Sequence, residues 1–212
     1  MVRVVLIVEG HGDVHAVPEL FARTAALFGE AMYAIRPAIR AGEARKLNRA
    51  GELERFVEMA ASRDDADEIV IVLDLDDDCA AQWGPAFEAR ANAAAARRGK
   101  RARVCFCVRE FEVFFLADFV GLAAATPEYG WVSKQAIADP HELRDAKGAV
   151  ARLTASGIYK ETRDQVALTK KLNPTALYAA SRCYRKFAKA ALGVDYSELD
   201  ARHAALSGDS KT

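Results

Sequence analysis

Short apolar runs recur along the first half of the chain, and polar or charged residues end most of them. Continuous runs of about four to eight apolar residues, rich in Val and Ile, are typical of strands buried on both faces. The pattern predicts strands at residues 2–8, 69–73 and 101–108, with a further, less regular candidate at 31–39.

Around these runs, apolar residues recur every three or four positions, which is typical of helices that bury one face. Strands that alternate with helices favour a parallel sheet with right-handed crossovers, so we predict an α/β fold. The predicted helices begin after Asp13 and cover residues near 47–59, the alanine-rich stretch 85–99 and the apolar stretch 111–122.

After about residue 141 the strand pattern stops and only helix patterns remain. With 212 residues the chain is long for one domain and short for two. We therefore predict an α/β domain at 1–125, a helical extension at 126–205 and a flexible tail at 206–212.

Composition narrows the class of protein. The formal net charge is zero, so the whole-chain charge does not indicate a polyanion partner. The four cysteines lack zinc-ligand spacing, and we interpret Cys105 and Cys107 as small core residues. The first apolar run is too short for a signal peptide, and no run is long enough to span a membrane. We expect a cytoplasmic protein that does not bind membranes.

Carboxylates stand where predicted strands end. Glu9 follows the first run, and Asp74 and Asp76 follow the run at 69–73. In a parallel sheet these ends share one edge, where ligands bind in α/β proteins. Like charges gathered there repel each other unless a cation neutralises them, and oxygen donors suit Mg²⁺ or Mn²⁺. Because strand side chains alternate, Asp74 and Asp76 would face one side.

Other acids near these strand ends leave alternatives open. Asp13 is either a further ligand or a cap of the first helix. Glu110 and Glu112 flank Phe111, and we expect Glu112 to face the site. A carboxylate-bound metal is most often used for phosphoryl chemistry, and Gly10 and Gly12 would allow a phosphate to approach the backbone.

Two stretches resemble the Toprim domain, which topoisomerases, primases and overcoming-lysogenization-defect (OLD) nucleases share. They are "VLIVEGHGDVHAVPEL" and "VIVLDLDDD", and the Toprim signature falls on Glu9-Gly10 and on Asp74-Leu75-Asp76. Further blocks, "REFEVFFLAD", "DAKGAV" and "GIYKETRDQVAL", resemble uncharacterised Toprim-like bacterial proteins that are often encoded beside ATPases and proposed to act in phage defence.

This resemblance implies a Rossmannoid sheet flanked by helices and Mg²⁺-dependent phosphodiester chemistry. It also implies that further acids and a lysine join the site, for which Asp13, Glu112 and Lys147 are the candidates. The chain carries neither a tyrosine nucleophile domain nor a primase zinc module, which argues against topoisomerase or complete primase activity.

The predicted helical extension is basic. Residues 141–190 contain eleven Lys and Arg and four acids, a difference of 11 − 4 = +7. A basic region beside an acidic metal edge suits a nucleic-acid backbone, although such charges are also common on solvated helix faces. The candidate nucleic-acid contacts are Lys160, Lys170, Lys171, Arg182, Arg185 and Lys186.

The expected function is therefore a Mg²⁺-dependent nuclease of Toprim or OLD type, with Glu9 and Lys147 as catalytic residues. Its expected partners are nucleic acid, DNA or RNA, and an ATPase. Two alternatives stay open: a non-catalytic module that binds an ATPase, and a metal-dependent phosphohydrolase or phosphotransferase acting on a small nucleotide. The oligomeric state, including a homo-oligomer, is not determined by the sequence.

Overall fold

The strands form a parallel sheet, as the sequence predicts. The computed structural model describes residues 1–75, 78–155 and 159–208, with side chains described through Leu206. In this part of the chain the strands lie in the order β2-β1-β3-β4, and every neighbouring pair is parallel. They are β1 (Val2–Val8), β2 (Met32–Arg40), β3 (Glu68–Leu75) and β4 (Arg101–Val108).

Helices connect the strands and make up the rest of the described chain. They are α1 (Asp13–Leu27), α2 (Ala44–Leu47), α3 (Glu52–Ala61), α4 (Ala80–Ala96), α5 (Val113–Ala117), α6 (Phe119–Ala125), α7 (Ala146–Leu153), α8 (Glu161–Thr169), α9 (Pro174–Ala180), α10 (Arg182–Leu192) and α11 (Tyr196–Gly208), with 3₁₀ turns at Pro127–Tyr129 and Pro140–Glu142. None of these helices is long and apolar enough to cross a lipid bilayer.

Several helix boundaries differ from the prediction, and the helix predicted near 47–59 is divided into α2 and α3. Helix α4 begins at Ala80, before the predicted start at residue 85. The stretch 111–122, predicted as one helix, is interrupted at Asp118, whose backbone leaves the helical region at φ −107° and ψ 29°. The Asp118 carboxylate instead accepts a hydrogen bond of 2.6 Å from the backbone N–H of Asn173, 55 residues away.

Each face of the sheet has its own apolar layer because strand side chains alternate. Val5, Ile7, Ile69 and Ile71 pack with residues of α3 and α4 on one face. On the other face, Val4, Leu6, Val8, Val70 and Val72 pack with residues of α1, α5 and α10. The result is a helix–sheet–helix arrangement, in which both faces of every central strand are covered.

The helices after residue 141 share the core of the sheet. Tyr184 and Phe187 of α10 are fully buried and contact the ring of Phe114 in α5. They belong to the core and are not exposed for stacking on bases. Helix α11 continues to Gly208, through the first residues of the predicted flexible tail, and residues 209–212 lie outside the described part of the chain.

Candidate functional site

The carboxyl ends of the central strands bring the predicted acids to one edge. Strand β1 lies beside β3, with Val8 opposite Val72, so Glu9 follows β1 close to where β3 ends. Asp74 lies in β3 on the same face as Val70 and Val72, towards α1 and α5. Asp76, the other predicted ligand from this strand end, lies outside the described residues.

The charges of the neighbouring acids act together on the carboxyl group of Asp74. Burial raises the pKa of the Asp74 carboxyl well above its usual range, and the nearby negative charges raise it further. The acids whose charges act on Asp74 are Asp13, Glu9, Glu112 and Glu110, in decreasing order of effect. All four of these acids therefore lie close enough to Asp74 to destabilise its ionised form.

Glu9 is held by the start of α2, and Asp13 by the turn that follows β1. The Glu9 Oε2 accepts a hydrogen bond of 3.3 Å from the backbone N–H of Ala44, where α2 begins. Asp13 is the first residue of α1, and Gly12 occupies the cap position without a side chain, so Asp13 is not the cap residue. The Asp13 Oδ2 instead accepts 2.8 Å from the N–H of Gly10.

Helix α8 closes the site over Asp13. The Nε2 of buried Gln165 donates to Asp13 Oδ1 at 3.1 Å. Burial raises the pKa of Asp13, and the negative charge of Glu161 adds to this, while the hydrogen bonds from Gly10 and Gln165 oppose it. Asp13 is thus a buried carboxyl held by two donors from different parts of the chain.

Gly10 and Gly12 leave room for the side chains of Asp13 and of α8, and the approach of a phosphate to their backbone stays a prediction. A Cβ on Gly10 would lie 3.0 Å from Asp13 Oδ2 and 3.2 Å from Glu161 Oε1. A Cβ on Gly12 would lie 2.1 Å from Gln165 Oε1, which is far inside van der Waals contact. The side chains of Glu161 and Gln165 therefore occupy the space that glycine leaves free.

Both acids after β4 take part in the site. Glu112 is the more buried, as expected, and its Oε1 accepts 2.7 Å from the Tyr159 hydroxyl. Burial raises the pKa of Glu112 to about 7, although Tyr159 and the charge of Lys147 act in the opposite direction. The Glu110 Oε2 accepts 2.8 Å from the backbone N–H of Lys147. The sequence left open which of Glu110 and Glu112 faces the site, and in the structure both acids contribute to it.

Lys147 lies beside these acids. Its Nζ is 2.7 Å from Glu161 Oε2. Burial alone would lower the pKa of Lys147, but the hydrogen bond to Glu161 and the charges of Glu112 and Glu110 outweigh it and raise the pKa. Lys147 therefore carries a permanent positive charge at the edge of the acid cluster, which we define as Glu9, Asp13, Asp74, Glu110 and Glu112.

Sequence reasoning missed the contribution of α8 and of Tyr159, which lies two residues before it. Tyr159, Glu161 and Gln165 contact the acid cluster or Lys147, yet none was a candidate. The signal was present in the block "GIYKETRDQVAL", in which Glu161 and Gln165 are four residues apart and so share one helix face. Nothing local indicated that this face meets the turn after β1.

The predicted nucleic-acid contacts lie on or beside two helices, α8 and α10. Exposed Lys160 precedes α8 and adjoins Tyr159 and Glu161. Lys170 and Lys171 follow the same helix, about 15 Å further along at ~1.5 Å per residue. Arg182, Arg185 and Lys186 lie on α10, which packs against β4. Their role in binding nucleic acid stays a prediction.

The donor set has the chemistry of a hard-cation site. It consists of carboxylates that repel one another, with Lys147 as the nearby cation, and a divalent ion would relieve that repulsion. Within residues 1–75, 78–155 and 159–208, however, no group of three or more His, Cys, Asp or Glu side chains is arranged closely enough to hold a metal. The assignment of Glu9, Asp13, Asp74 and Glu112 as ligands stays a prediction.

The raised pKa of Glu112 predicts that the metal-free protein is less stable at alkaline pH. Between about pH 4.5 and 7 the folded state binds more protons than the unfolded state, so the free energy of unfolding falls as pH rises. The shift from 4.5 to about 7 corresponds to at most about 3 kcal/mol, lost fully above pH 7. Asp13 and Asp74 act in the same direction.

We expect the melting temperature in chelator to fall from pH 5 to pH 8, and Glu112→Gln to reduce that fall. The matched control is Glu128→Gln, an exposed acid in a 3₁₀ turn, which should leave the pH profile unchanged. Identical profiles for the wild type and Glu112→Gln would show that Glu112 titrates normally.

Comparison with known proteins identifies a family without a known activity. No curated protein and no solved structure matches the chain significantly. Residues 8–190 match the DUF4276 family, which is described as a domain of unknown function. This match begins at the end of β1 and includes the acid cluster, Lys147 and α8. Since it covers most of the 212 residues, the chain belongs to the DUF4276 family.

Proposed function

We propose that the protein is a metal-dependent nuclease that hydrolyses phosphodiester bonds with Mg²⁺ or Mn²⁺. The observation that carries this proposal is the acid cluster at the carboxyl edge of the parallel sheet, with Lys147 beside it. The resemblance to the Toprim domain supports the same chemistry. We further propose nucleic acid in the cytoplasm as the substrate and an ATPase as the partner, as that resemblance implies.

Glu9, Asp74 and Asp13 would hold the metal, with Glu112 and Asp76 as further candidates. A bound Mg²⁺ would polarise a phosphate oxygen and lower the pKa of a coordinated water. The acid cluster fits a divalent cation because of its chemistry. Its carboxylates repel one another, and the single positive charge of Lys147 is too small to neutralise them.

The residues around the cluster keep the acids in position. Tyr159 donates to Glu112 and fixes the orientation of that carboxyl group. Gly10 and Gln165 together hold both oxygens of Asp13. Such supporting hydrogen bonds typically change metal affinity or activity by about 10–100-fold when they are lost.

Lys147 would act on the substrate. Its ammonium group is partly exposed and is drawn towards Glu161, so it can donate to a phosphate oxygen at the edge of the cluster. A positive charge at this place stabilises the negative charge that develops on the phosphate in the transition state.

The test is incubation of the purified protein with plasmid, single-stranded DNA and RNA in Mg²⁺ or Mn²⁺, alone and with any candidate ATPase partner. We expect cleavage by the wild type and loss of cleavage in chelator and in folded Glu9→Gln. If the wild type cleaves no substrate with any partner, the non-catalytic module becomes the better proposal. Cleavage by Glu9→Gln at the wild-type rate would exclude Glu9 as a catalytic ligand.

Replacing Lys147 by Ala should separate substrate chemistry from metal binding. We expect at least about a tenfold loss of turnover, since a group that stabilises transition-state charge is removed. The metal-induced rise in melting temperature should persist, because Lys147 is not a metal ligand. Lys134→Ala, which removes an exposed lysine elsewhere, is the matched control. Loss of the metal-induced rise together with activity would mean that Lys147 acts by holding the site together.

A further inference from the structure

Helix α10 carries a row of basic side chains on its outer face. The spacing i, i+3, i+4 and i+7, which is that of one helix side, is occupied by Arg182, Arg185, Lys186 and Lys189. These four residues, which we call the basic stripe, are exposed or half-buried, while the opposite side of α10 lies in the core. The stripe is about 10 Å long at ~1.5 Å per residue.

A cavity of about 920 Å³ lies between the basic stripe and α4. Arg182 and Lys186 line one wall, and the other wall carries small apolar side chains of α4, namely Ala81, Pro85 and Ala89. All three are exposed, so the cavity opens to solvent. Its volume is in the range of small-molecule sites, which leaves room for a planar ring such as a nucleobase.

Two acids line the same cavity and differ in their surroundings. The Asp78 Oδ2 is 3.0 Å from the Arg45 Nε, so its charge is compensated. Glu88 of α4 makes no ion pair with the described part of the chain. Its carboxylate is a hydrogen-bond acceptor in an otherwise apolar wall, and acids of this kind accept from the exocyclic amino group of a base such as cytosine.

The cavity adjoins the edge of the sheet that holds the acid cluster. Val108, the last residue of β4, lines it, and the Cys183 Sγ lies 4.0 Å from the Val108 carbonyl oxygen. Glu110 of the acid cluster follows Val108 by two residues. A polymer that lies along the basic stripe therefore reaches the acid cluster beyond the Arg182 end.

We propose that the basic stripe and the cavity bind single-stranded nucleic acid, with one unpaired base in the cavity beside Glu88 and the flanking phosphates on Arg182 and Lys186. This inference rests on the proposed function, because it names the substrate class of that site. Two of the four cations, Arg185 and Lys189, lie beyond the cavity, which favours a chain of phosphates over a single nucleotide. A duplex fits less well, because its bases are paired and stacked and do not enter a cavity.

The ion pairs within the stripe leave its charges available to phosphates. Arg182 is 3.4 Å from Glu142 and Lys189 is 3.8 Å from Asp195, and both acids are exposed. Exposed pairs of this kind are weak, so a phosphate can replace the acid. The ring of Tyr196, which is 41% exposed, lies beside the stripe with its centroid 4.6 Å from the Lys189 Nζ. Aromatic surface next to cations is typical of sites that bind single strands.

The experiment measures binding of labelled oligonucleotides of about 12 nucleotides by fluorescence polarisation, in chelator so that metal-dependent cleavage does not interfere. We expect oligo(dC) to bind at least about tenfold more tightly than a hairpin duplex with the same number of phosphates. Oligo(dT) should bind more weakly than oligo(dC), because thymine lacks an exocyclic amino group for Glu88. Glu88→Gln should reduce this difference, since an amide can pair with either base.

Filling the cavity gives the decisive measurement. Ala89→Trp, from an exposed position on the cavity wall, should remove the preference for oligo(dC) over the duplex. Ala86→Trp is the matched control, because Ala86 is exposed on the same helix and does not line the cavity. Lys186→Ala should weaken oligo(dC) and reduce the slope of log K against log[salt] by about 0.7. Lys134→Ala, at an exposed lysine elsewhere, should change neither.

Equal binding of oligo(dC) to the wild type and Ala89→Trp, or equal affinity for single strand and duplex, would overturn the proposal. Competition by free CMP as strong as by oligo(dC) would also overturn it, since a single nucleotide would then be the occupant. These outcomes are separate from the proposed nuclease activity. A protein that cleaves nucleic acid without using the cavity contradicts only this inference, and one that binds oligo(dC) in the cavity but cleaves nothing contradicts only the nuclease.

Discussion

Asp74→Asn should abolish metal-dependent cleavage while the fold is retained. The charges of the other four acids all act on Asp74, so among the proposed ligands it is the one that we expect the site to replace least easily. Losing a supporting hydrogen bond costs about 10–100-fold, and losing a direct ligand should cost at least about 100-fold. The measurement is the cleavage rate at fixed Mg²⁺, with circular dichroism to show that the variant is folded.

The same substitution should have opposite effects on the stability of the metal-free and metal-bound states. Asn is neutral, so Asp74→Asn removes the repulsion from Glu9 and Asp13 and should raise the melting temperature in chelator at pH 8. If Mg²⁺ binds only the folded state, a concentration of one hundred times Kd should stabilise the wild type by about 2.7 kcal/mol, and the variant should lack this gain.

The matched control for these effects is Asp64→Asn, which neutralises an exposed acid in the turn before β3. It should leave both cleavage and the metal-induced stabilisation unchanged. An undiminished Mg²⁺ response in Asp74→Asn would place the ion elsewhere and remove the basis of the proposed function.

Phe114→Ala should destabilise the whole chain by about 3–5 kcal/mol, the usual cost of deleting a large aromatic side chain from a core. Phe114 is fully buried and contacts Phe111 of the β4–α5 connection together with Tyr184 and Phe187 of α10. Because these rings join the sheet layer to the C-terminal helices, we expect one unfolding transition that shifts to lower urea concentration as a unit.

The measurement is urea unfolding followed by tryptophan fluorescence and by circular dichroism. Trp83 lies on α4, and Trp131 follows the 3₁₀ turn after α6, so the fluorescence samples both parts of the chain. Val120→Ala, at a half-exposed position of α6, should cost less than about 0.5 kcal/mol and serves as the control. Two separate transitions would show that residues 126–205 fold independently of the sheet.

Much of the fold follows from local sequence patterns. Strands β1, β3 and β4 are predicted near their observed positions because continuous apolar runs are stable only when both faces are covered, and the less regular stretch 31–39 predicts β2. The same reasoning predicts that Glu9, Asp74 and Glu110 stand at strand ends, since the runs stop at these residues or just before them. Parallel strands then place them on one edge without further information.

The order of the strands and the closure of the site depend on contacts between distant residues. Gln165 reaches Asp13 across 152 residues, and Tyr159 reaches Glu112 across 47. Gly10 and Gly12 lie against Glu161 and Gln165 of α8, which no local pattern indicated. The basic residues formed one region in sequence, and in the structure they lie on or beside two separate helices, α8 and α10.

The physical reason is the range of the interactions involved. Hydrophobic periodicity and strand-end chemistry are set by neighbours within about one helical turn or a few strand positions, so the sequence by itself determined the α/β class and the acids at the sheet edge. Burial and hydrogen bonding of Asp13, Glu112 and Lys147 depend on segments that meet only after the chain has packed. The tertiary structure therefore decided which residues hold the acids in place.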